Sequence, residues 1–520
     1  MERFENKESW IKIHQVSLTP PSLKDNTGDV DRLLKGLRKI FPDNEVILDL
    51  AIIKKVSSFL NNHKYNIQVS LYKTGYAWQA IELFPPDNKG FYGLSVDLGS
   101  TTITLRLLDI VTGAAIGDVS FSNPQTEIGP DILTRIHFAS GEGGLVRLQS
   151  LVIKQLNKEI SLLASMHGIK KDHILGISVA GNTTMTHLFL GLDPYWICRE
   201  PYIPVINQPE IIRSSDLGLI INPRAPVFIL PNVGSYFGGD LIAGILASGM
   251  YLESDVSILV DVGTNAEVVL GNNEWLMGCA GAAGPALEGG VTGMGMMAGP
   301  GVIDRVVIEP RSKEVKIRTI ENRPPIGICG SGLIDLISQL YLAGMIDIQG
   351  RFVPDNCGDR LRDIEGIRHF IVVFSEGSET GGSLTLTQPD IDSLLRSKAA
   401  MYTILTTITG MINITFDDID RFYIAGTFGT YLDPVSAITL GMIPDLPMNI
   451  FQPLGNSSLQ GATMSLLSLN AQNEIHRIQE RITYIELNVN QEFMNHFSAA
   501  KFIPHTDISL FPSVMKKEAG

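Results

Sequence analysis

A strand–turn–strand unit occurs twice in this chain, and that duplication restricts the fold more than any other feature. The first copy runs Gly93-Leu-Ser-Val-Asp97-Leu-Gly99-Ser100-Thr101-Thr102 into the alternating segment Ile103–Leu108. The second runs Ser257-Ile-Leu-Val-Asp261-Val-Gly263-Thr264-Asn265-Ala266 into Glu267–Leu270. The two aspartates lie 164 positions apart, a separation that suits a duplicated domain and exceeds the periods of solenoids. In Rossmann and P-loop proteins the glycine turn opens a helix. Here Ile103, Leu105 and Leu107 alternate with Thr104, Arg106 and Leu108, so the turn leads into a second strand. A tight turn of this kind aims successive amide N–H groups and a hydroxyl at phosphates.

Amphipathic helices fill the intervals that an α/β duplication requires. Leu145, Leu148, Val152, Leu156, Ile160 and Leu163 recur at spacings of three and four, and further helices are predicted at 239–249, 332–344 and 389–412. For the last, Thr387 is a capping residue, Pro389 sits in the first turn, and Asp390 and Asp392 complement the helix dipole. Ahead of the first copy, Asp31–Leu37 reads as a helix and Tyr65–Tyr72 as a strand, and Pro85-Pro86-Asp87-Asn88 marks a boundary. The expected organisation is a linker at 1–21, a small α+β domain at 22–88, one lobe at 91–252 and a second at 255–520 with its C-terminal segment returning onto the lobes.

Phosphoryl chemistry needs positioning, a divalent metal, and donors aimed at developing charge. Gly99, Ser100, Thr101 and Thr102 on one wall of a cleft, and Gly263, Thr264 and Asn265 on the other, are the candidate phosphate ligands. Asp97 and Asp261 are the candidate Mg²⁺-orienting carboxylates, acting through bound water because Mg²⁺ surrenders its hydration reluctantly. A third motif, Phe422-Tyr-Ile-Ala-Gly426-Thr427-Phe-Gly429, ends an apolar strand in glycines, where a backbone approaches a ligand closely. This motif resembles the adenosine motif of the actin, sugar-kinase and heat-shock-chaperone superfamily, and that resemblance implies that Lys398, on the helix before it, flanks the adenine and ribose; a solvated helix residue is the alternative. The small-residue segment 231–249 resembles the connecting helix that crosses between the lobes of heat-shock chaperones. That resemblance implies a water-positioning acid at Asp240, a candidate general base; a helix N-cap or first-turn acid is the alternative.

The balance of 41 Lys and Arg against 55 Asp and Glu gives a net charge of −14. Without a basic stripe such a chain is a poor nucleic-acid binder, because phosphate neutralisation supplies most of that affinity. No run of about 18 apolar residues suggests a membrane span, and the charged N-terminus is unlike a signal peptide, so the cytoplasm is expected. The cysteines, Cys198, Cys279, Cys329 and Cys357, form no C-x-x-C pair and so match no zinc or iron–sulfur pattern.

The ordered set Val96–Thr102, Gly129-Pro-Asp-Ile132, Ala180–Met185, Val260–Glu267, Gly281–Gly290, Gly327–Asp335 and Ala425–Gly429, with Asn456–Ala462 and Ile508–Ser513, resembles the ATP-dependent reductive activators of corrinoid proteins. The resemblance implies duplicated actin-like, ribonuclease H-like lobes with a nucleotide cleft, preceded by a small α+β domain. It implies an ATPase that binds ATP or ADP with Mg²⁺ and helps return an inactive Co(II) corrinoid protein of a methyltransferase system to Co(I). Such activators usually carry an N-terminal ferredoxin-like domain with a [2Fe-2S] cluster. The four cysteines here are not that set, so the electron is expected from a ferredoxin-like domain or carrier outside this chain. Ala266 and Thr427 stand where the family often has glycine. A homodimer is compatible with this reading, and the alternatives are a chaperone-like remodelling ATPase and a small-molecule kinase.

Overall fold

The computed structural model describes residues 8–235, 237–262, 266–281, 292–426, 431–485 and 491–518. Two compact units emerge: Met1–Ala247 with Ser458–Glu480, and Ser248–Ser457 with Arg481–Gly520. Among the described residues no helix is long and apolar enough to cross a membrane.

The first unit opens with a four-stranded sheet, β1 (Ile11–Ser17), β2 (Glu45–Ile47), β3 (Asn66–Thr74) and β4 (Ala77–Phe84), in the order β1-β3-β4-β2. Alternation places Ile67, Val69 and Leu71 of β3 on the core side. Helices Asp29–Ile40 and Leu50–Asn62 cover them with Leu33, Leu37, Ile52, Val56 and Leu60, all spaced by four and fully buried. The lead-in expected as a linker is therefore partly a strand. β1 pairs antiparallel with β3, Val16 opposite Ile67, and Trp10 and Val16 are buried. The reason is apolar burial: Trp10, Ile11 and Val16 have a core to enter, and a linker would leave them in water. This domain is joined to the strands that follow by Arg224, whose Nε donates to the Ile81 carbonyl at 2.6 Å and whose guanidinium pairs with Glu82.

The first repeat copy forms β5 (Tyr92–Leu98) and β6 (Thr102–Asp109). With β7 (Ala115–Ser122), β8 (Ile174–Gly181), β9 (Ile212–Arg213) and β10 (Pro226–Ile229) it makes a six-stranded sheet ordered β7-β6-β5-β8-β10-β9. β5, β8 and β10 are mutually parallel, while β5, β6 and β7 form an antiparallel meander. The predicted amphipathic face appears as helix Gly144–Met166, with Leu148, Val152, Leu156, Ile160 and Leu163 buried against this sheet.

The second unit repeats the plan. β11 (Ser257–Val262), β12 (Ala266–Gly271) and β13 (Leu276–Gly281) form the meander. β14 (Val302–Ile308), β15 (Val315–Thr319) and β16 (Gly327–Ile328) make a three-stranded sheet, as do β17 (Leu361–Ile364), β18 (Ile367–Val373) and β19 (Leu384–Thr387). β20 (Arg421–Ala425) and β21 (Phe451–Gly455) then add in parallel beside β11, and β22 (Ile482–Ile485) joins β13, in the order β21-β20-β11-β12-β13-β22. The 389–412 helix spans Gln388–Met411. It starts with the expected cap: Thr387 accepts from the Asp390 amide and Asp390 accepts from the Thr387 amide, a capping box.

The expected second lobe of 255–520 loses Ser458–Glu480 to the first unit. Helix Ser457–Leu467 lies on β5 and β8 through buried hydroxyl pairs, Ser95 with Thr463 at 2.8 Å and Ser178 with Ser465 at 2.6 Å. Buried hydroxyls need partners, and these four satisfy one another. The same helix packs closely on helix Gly239–Ser248, because a Cβ on Gly461 would meet Ala243 backbone and side chain at 2.5 Å. Gly461→Val therefore over-packs this crossing. Thermal unfolding should show a loss of about 1–3 kcal/mol, whereas unchanged stability would mean the helices separate freely at this point.

Candidate functional site

In open α/β sheets, ligands bind beyond the carboxyl ends of the parallel strands. In the first unit that edge is formed by β5, β8 and β10, and it gathers several of the residues singled out by sequence. Asp97 is the penultimate residue of β5, in register with Ala180 on β8 and Thr104 on β6. Gly99 follows immediately. A Cβ there would lie 2.2 Å from the Thr102 carbonyl oxygen, so the turn closes only with glycine. Ser100, Thr101 and Thr102 retain partial solvent access at this turn.

Asn123, fully buried, braces the loop: its Nδ2 donates to the Gly99 carbonyl at 2.9 Å, and its amide donates to the Thr101 carbonyl at 2.7 Å. Behind it Arg135 is also fully buried, with Nε donating to the Gly129 carbonyl at 2.9 Å and Nη1 reaching the Met185 thioether. Burial lowers its pKa to about 10. Gly181 ends β8, and Asn182 caps helix Thr183–Leu190 by accepting from the Met185 amide at 2.9 Å.

Beyond β10, buried Asn232 accepts from the Gly239 amide at 3.2 Å and so fixes the start of helix Gly239–Ser248. Gly238 packs against the Asn182 backbone, and its absent side chain leaves room beside the Asp240 carboxylate. Asp240 Oδ1 accepts from the Leu241 amide at 2.9 Å. Its carboxyl is nevertheless pushed up to about 7, first by burial and further by the neighbouring charge of Asp97, against the lowering effect of that amide. Two carboxylates thus face one strand edge, one of them poised to take or release a proton near neutrality.

Ser458, at the start of helix Ser457–Leu467, donates its hydroxyl to Asp97 Oδ1 at 2.8 Å. Ser458 lies in the segment Asn456–Ala462 that carries part of the resemblance, but its role at the site was not assigned from sequence, because 361 positions separate it from its partner. Asn123 and Arg135 were missed for a related reason: Asn123 braces the turn and Arg135 lies behind Met185, and neither carries a motif of its own.

In the second unit Asp261 lies at the matching place on β11, in register with Ala425 on β20, and Ala425 is in register with Gly455 on β21. Gly426 and Gly455 adopt φ of 84° and 63°, conformations that favour glycine. Gly263, Thr264, Asn265, Thr427 and Gly429 lie outside the described residues.

Lys398 requires a correction. Its side chain is fully buried, and Nζ donates to the Phe502 carbonyl and, at 2.7 Å, to that of Pro504. Burial lowers its pKa well below the usual lysine range. The ammonium is used to pin the C-terminal segment and is not presented to a nucleotide.

Among the described residues no three His, Cys, Asp or Glu side chains form a metal cage. Paired aspartates beside a hydroxyl-bearing glycine turn do fit a hydrated Mg²⁺ ion on a phosphate group, since Mg²⁺ keeps most of its waters. The turn, its bracing asparagine and the two carboxylates form a polar site suited to a nucleotide's phosphate end.

The shifted Asp240 makes stability depend on pH. Its carboxyl titrates near 7 when folded and near 3.8 when unfolded, so the folded state holds the proton between those values. Wild-type stability falls as pH rises through that interval and levels off above it. In metal-free, nucleotide-free protein, the Tm of Asp240→Asn relative to wild type should climb from pH 4 to about 7 and then stay flat. A difference that is the same at every pH would mean an unshifted carboxyl.

Comparison with known proteins places the chain in a family. Residues 255–515 match the family described as the C-terminal domain of RACo, the ASKHA domain; residues 92–253 match the RACo middle region; and residues 7–90 match the RACo linker region. The chain is 29% identical over 501 residues to the corrinoid activation enzyme RamQ of Eubacterium limosum, covering 94% of this chain and 82% of that protein. It is 22% identical over 440 residues to the [Co(II) methylated amine-specific corrinoid protein] reductase of Methanosarcina barkeri, with 78% and 76% covered. Among solved structures, the reductive activator for corrinoid, iron-sulfur protein matches with a TM-score of 0.92 and 37% identity, over 98% of this chain and 81% of that one. With linker, middle and C-terminal regions matched in order along its length, the chain belongs to the RACo family.

Proposed function

We propose that this chain is an ATPase that drives reduction of a Co(II) corrinoid protein to Co(I), restoring the partner for methyl transfer. The observation that carries the reading is the ordered family match over residues 7–515, on a chain whose Asp97, Asp240 and phosphate-type turn lie at one strand edge. The relatives named above are a corrinoid activation enzyme and a corrinoid protein reductase.

In this reading Ser100, Thr101 and Thr102 bind phosphate oxygens, with Gly263, Thr264 and Asn265 of the second turn, and Gly426, Thr427 and Gly429 lie against the nucleoside. Asp97 and Asp261 orient the magnesium ion, which when bound neutralises charge on the β- and γ-phosphates. Ser458 holds the Asp97 carboxylate in one orientation. Asp240 accepts the proton of the attacking water as its oxygen bonds to the γ-phosphorus, and the bond to the β,γ-bridging oxygen breaks. One electron passes from a ferredoxin-like donor to the Co(II) of the partner. ATP assists this uphill transfer to the extent that nucleotide states differ in affinity for the Co(II) and Co(I) partner.

ATP turnover should rise when the Co(II) corrinoid protein is added and should be indifferent to its methylated form. Asp97→Ala and Asp261→Ala should each lower turnover by about 10²–10³-fold, and Ser458→Ala by about fivefold, the worth of one oriented hydrogen bond. Steady-state phosphate release measures all of these. Turnover that ignores the corrinoid protein would favour a chaperone-like remodelling ATPase, and wild-type turnover in both aspartate variants would remove the phosphate-site assignment.

A further inference from the structure

A groove of about 690 Å³ opens on the second unit, away from the motifs used so far. Its lining includes Arg351, Arg368 and Lys501, with Asp392 the lone carboxylate among the described lining residues. All three cations are exposed, and none is held in an ion pair among the described residues. In a chain with 41 Lys and Arg against 55 Asp and Glu, three cations outside any described ion pair around one groove, Lys501 lying over the Phe497 ring at 4.9 Å, form a local reversal of sign.

The groove is built on fixed segments. Asp347 accepts from the amides of Gln349 and Arg351 at 2.8 and 2.9 Å, closing the turn that carries Arg351. Gln388, at the start of helix Gln388–Met411, donates to the Gly350 carbonyl at 2.9 Å and accepts from the Phe352 amide at 3.3 Å. Arg368 is anchored on the Phe352 carbonyl at 3.1 Å through one nitrogen. The fourth wall, Lys501-Phe502, is pinned from within by buried Lys398. Groups ordered in advance lose little freedom on binding.

Apolar surface flanks the charge. Ile364 and Ile367 pair across the tip of the β17–β18 hairpin and are 50% and 42% exposed, and Ile348 on the neighbouring turn is 53% exposed. Arginines beside exposed apolar side chains are the composition of a protein–protein contact. A small anion would have no use for the isoleucines, and the chain's net charge opposes nucleic acid.

We propose that this groove docks an acidic segment of the protein partner, its carboxylates on Arg351 and Arg368 and an apolar side chain against Ile367. Charge complementarity is the argument for that occupant: an acidic partner is repelled by most of this chain and attracted here, which steers encounter to one face. The identity of the partner rests on the corrinoid reading, and the experiment separates the two.

The Co(II) corrinoid protein of the methyltransferase system is immobilised, and binding of the full chain is followed at low and moderate salt. Arg351→Glu/Arg368→Glu and Ile367→Asp should each weaken binding by about tenfold or more. The double variant should also lose most of the salt dependence of association, while basal ATP turnover and Tm stay at wild-type values. Variants that bind within about twofold of wild type would overturn the docking surface and leave the corrinoid reading standing. Absence of wild-type binding would overturn both. Displacement by millimolar phosphate, beyond that caused by sodium chloride at equal ionic strength, would mark a small-anion site and overturn protein docking.

Discussion

The rest of the site depends on the contact between Ser458 and Asp97, which holds that carboxylate in one orientation. The hydroxyl donates at 2.8 Å across 361 positions of sequence, so the site's geometry depends on where helix Ser457–Leu467 settles. That helix is fixed in turn by the Ser95–Thr463 and Ser178–Ser465 pairs and by its contact through Gly461 with helix Gly239–Ser248. The latter helix carries Asp240. One network of small side chains therefore positions both carboxylates, and a change in the helix crossing reaches Asp97 and Asp240 together.

The duplication explains why the two units share a plan. In each, a three-strand meander continues into two parallel strands, and an aspartate is the penultimate residue of the meander's first strand: Asp97 in register with Ala180, Asp261 with Ala425. Such an edge leaves backbone amides and side-chain hydroxyls facing out where the sheet stops, which is why phosphate chemistry suits it.

Much of this was legible in the sequence, because local rules act over a few residues. The alternation after Gly99 marked β6, the period of Leu148 to Leu163 marked a helix, and Thr387 with Asp390 marked a start that the structure realises as a capping box. Lys398 was misread because its helical position alone cannot tell a solvated ammonium from one enclosed by the Phe502 and Pro504 carbonyls. Residues 11–17 read as linker because their pairing partners on β3 lie 49 to 61 positions on, Asn66 opposite Ser17 and Tyr72 opposite Ile11. Ser458 and Asn123 were invisible as site residues for the same reason: their roles arise from tertiary contact, not from spacing.

In the proposed function ATP turnover and electron delivery are separable, with Asp97, Asp240 and Ser458 serving the first and a ferredoxin-like donor the second. The direct measurement is the absorbance of Co(I) formed when this chain, its Co(II) corrinoid protein and a ferredoxin-like donor at low potential are mixed with and without ATP. Rapid Co(I) formation that needs both ATP and an intact Asp97 is the predicted result. Co(I) appearing at the same rate without ATP, or with Asp97→Ala, would contradict it.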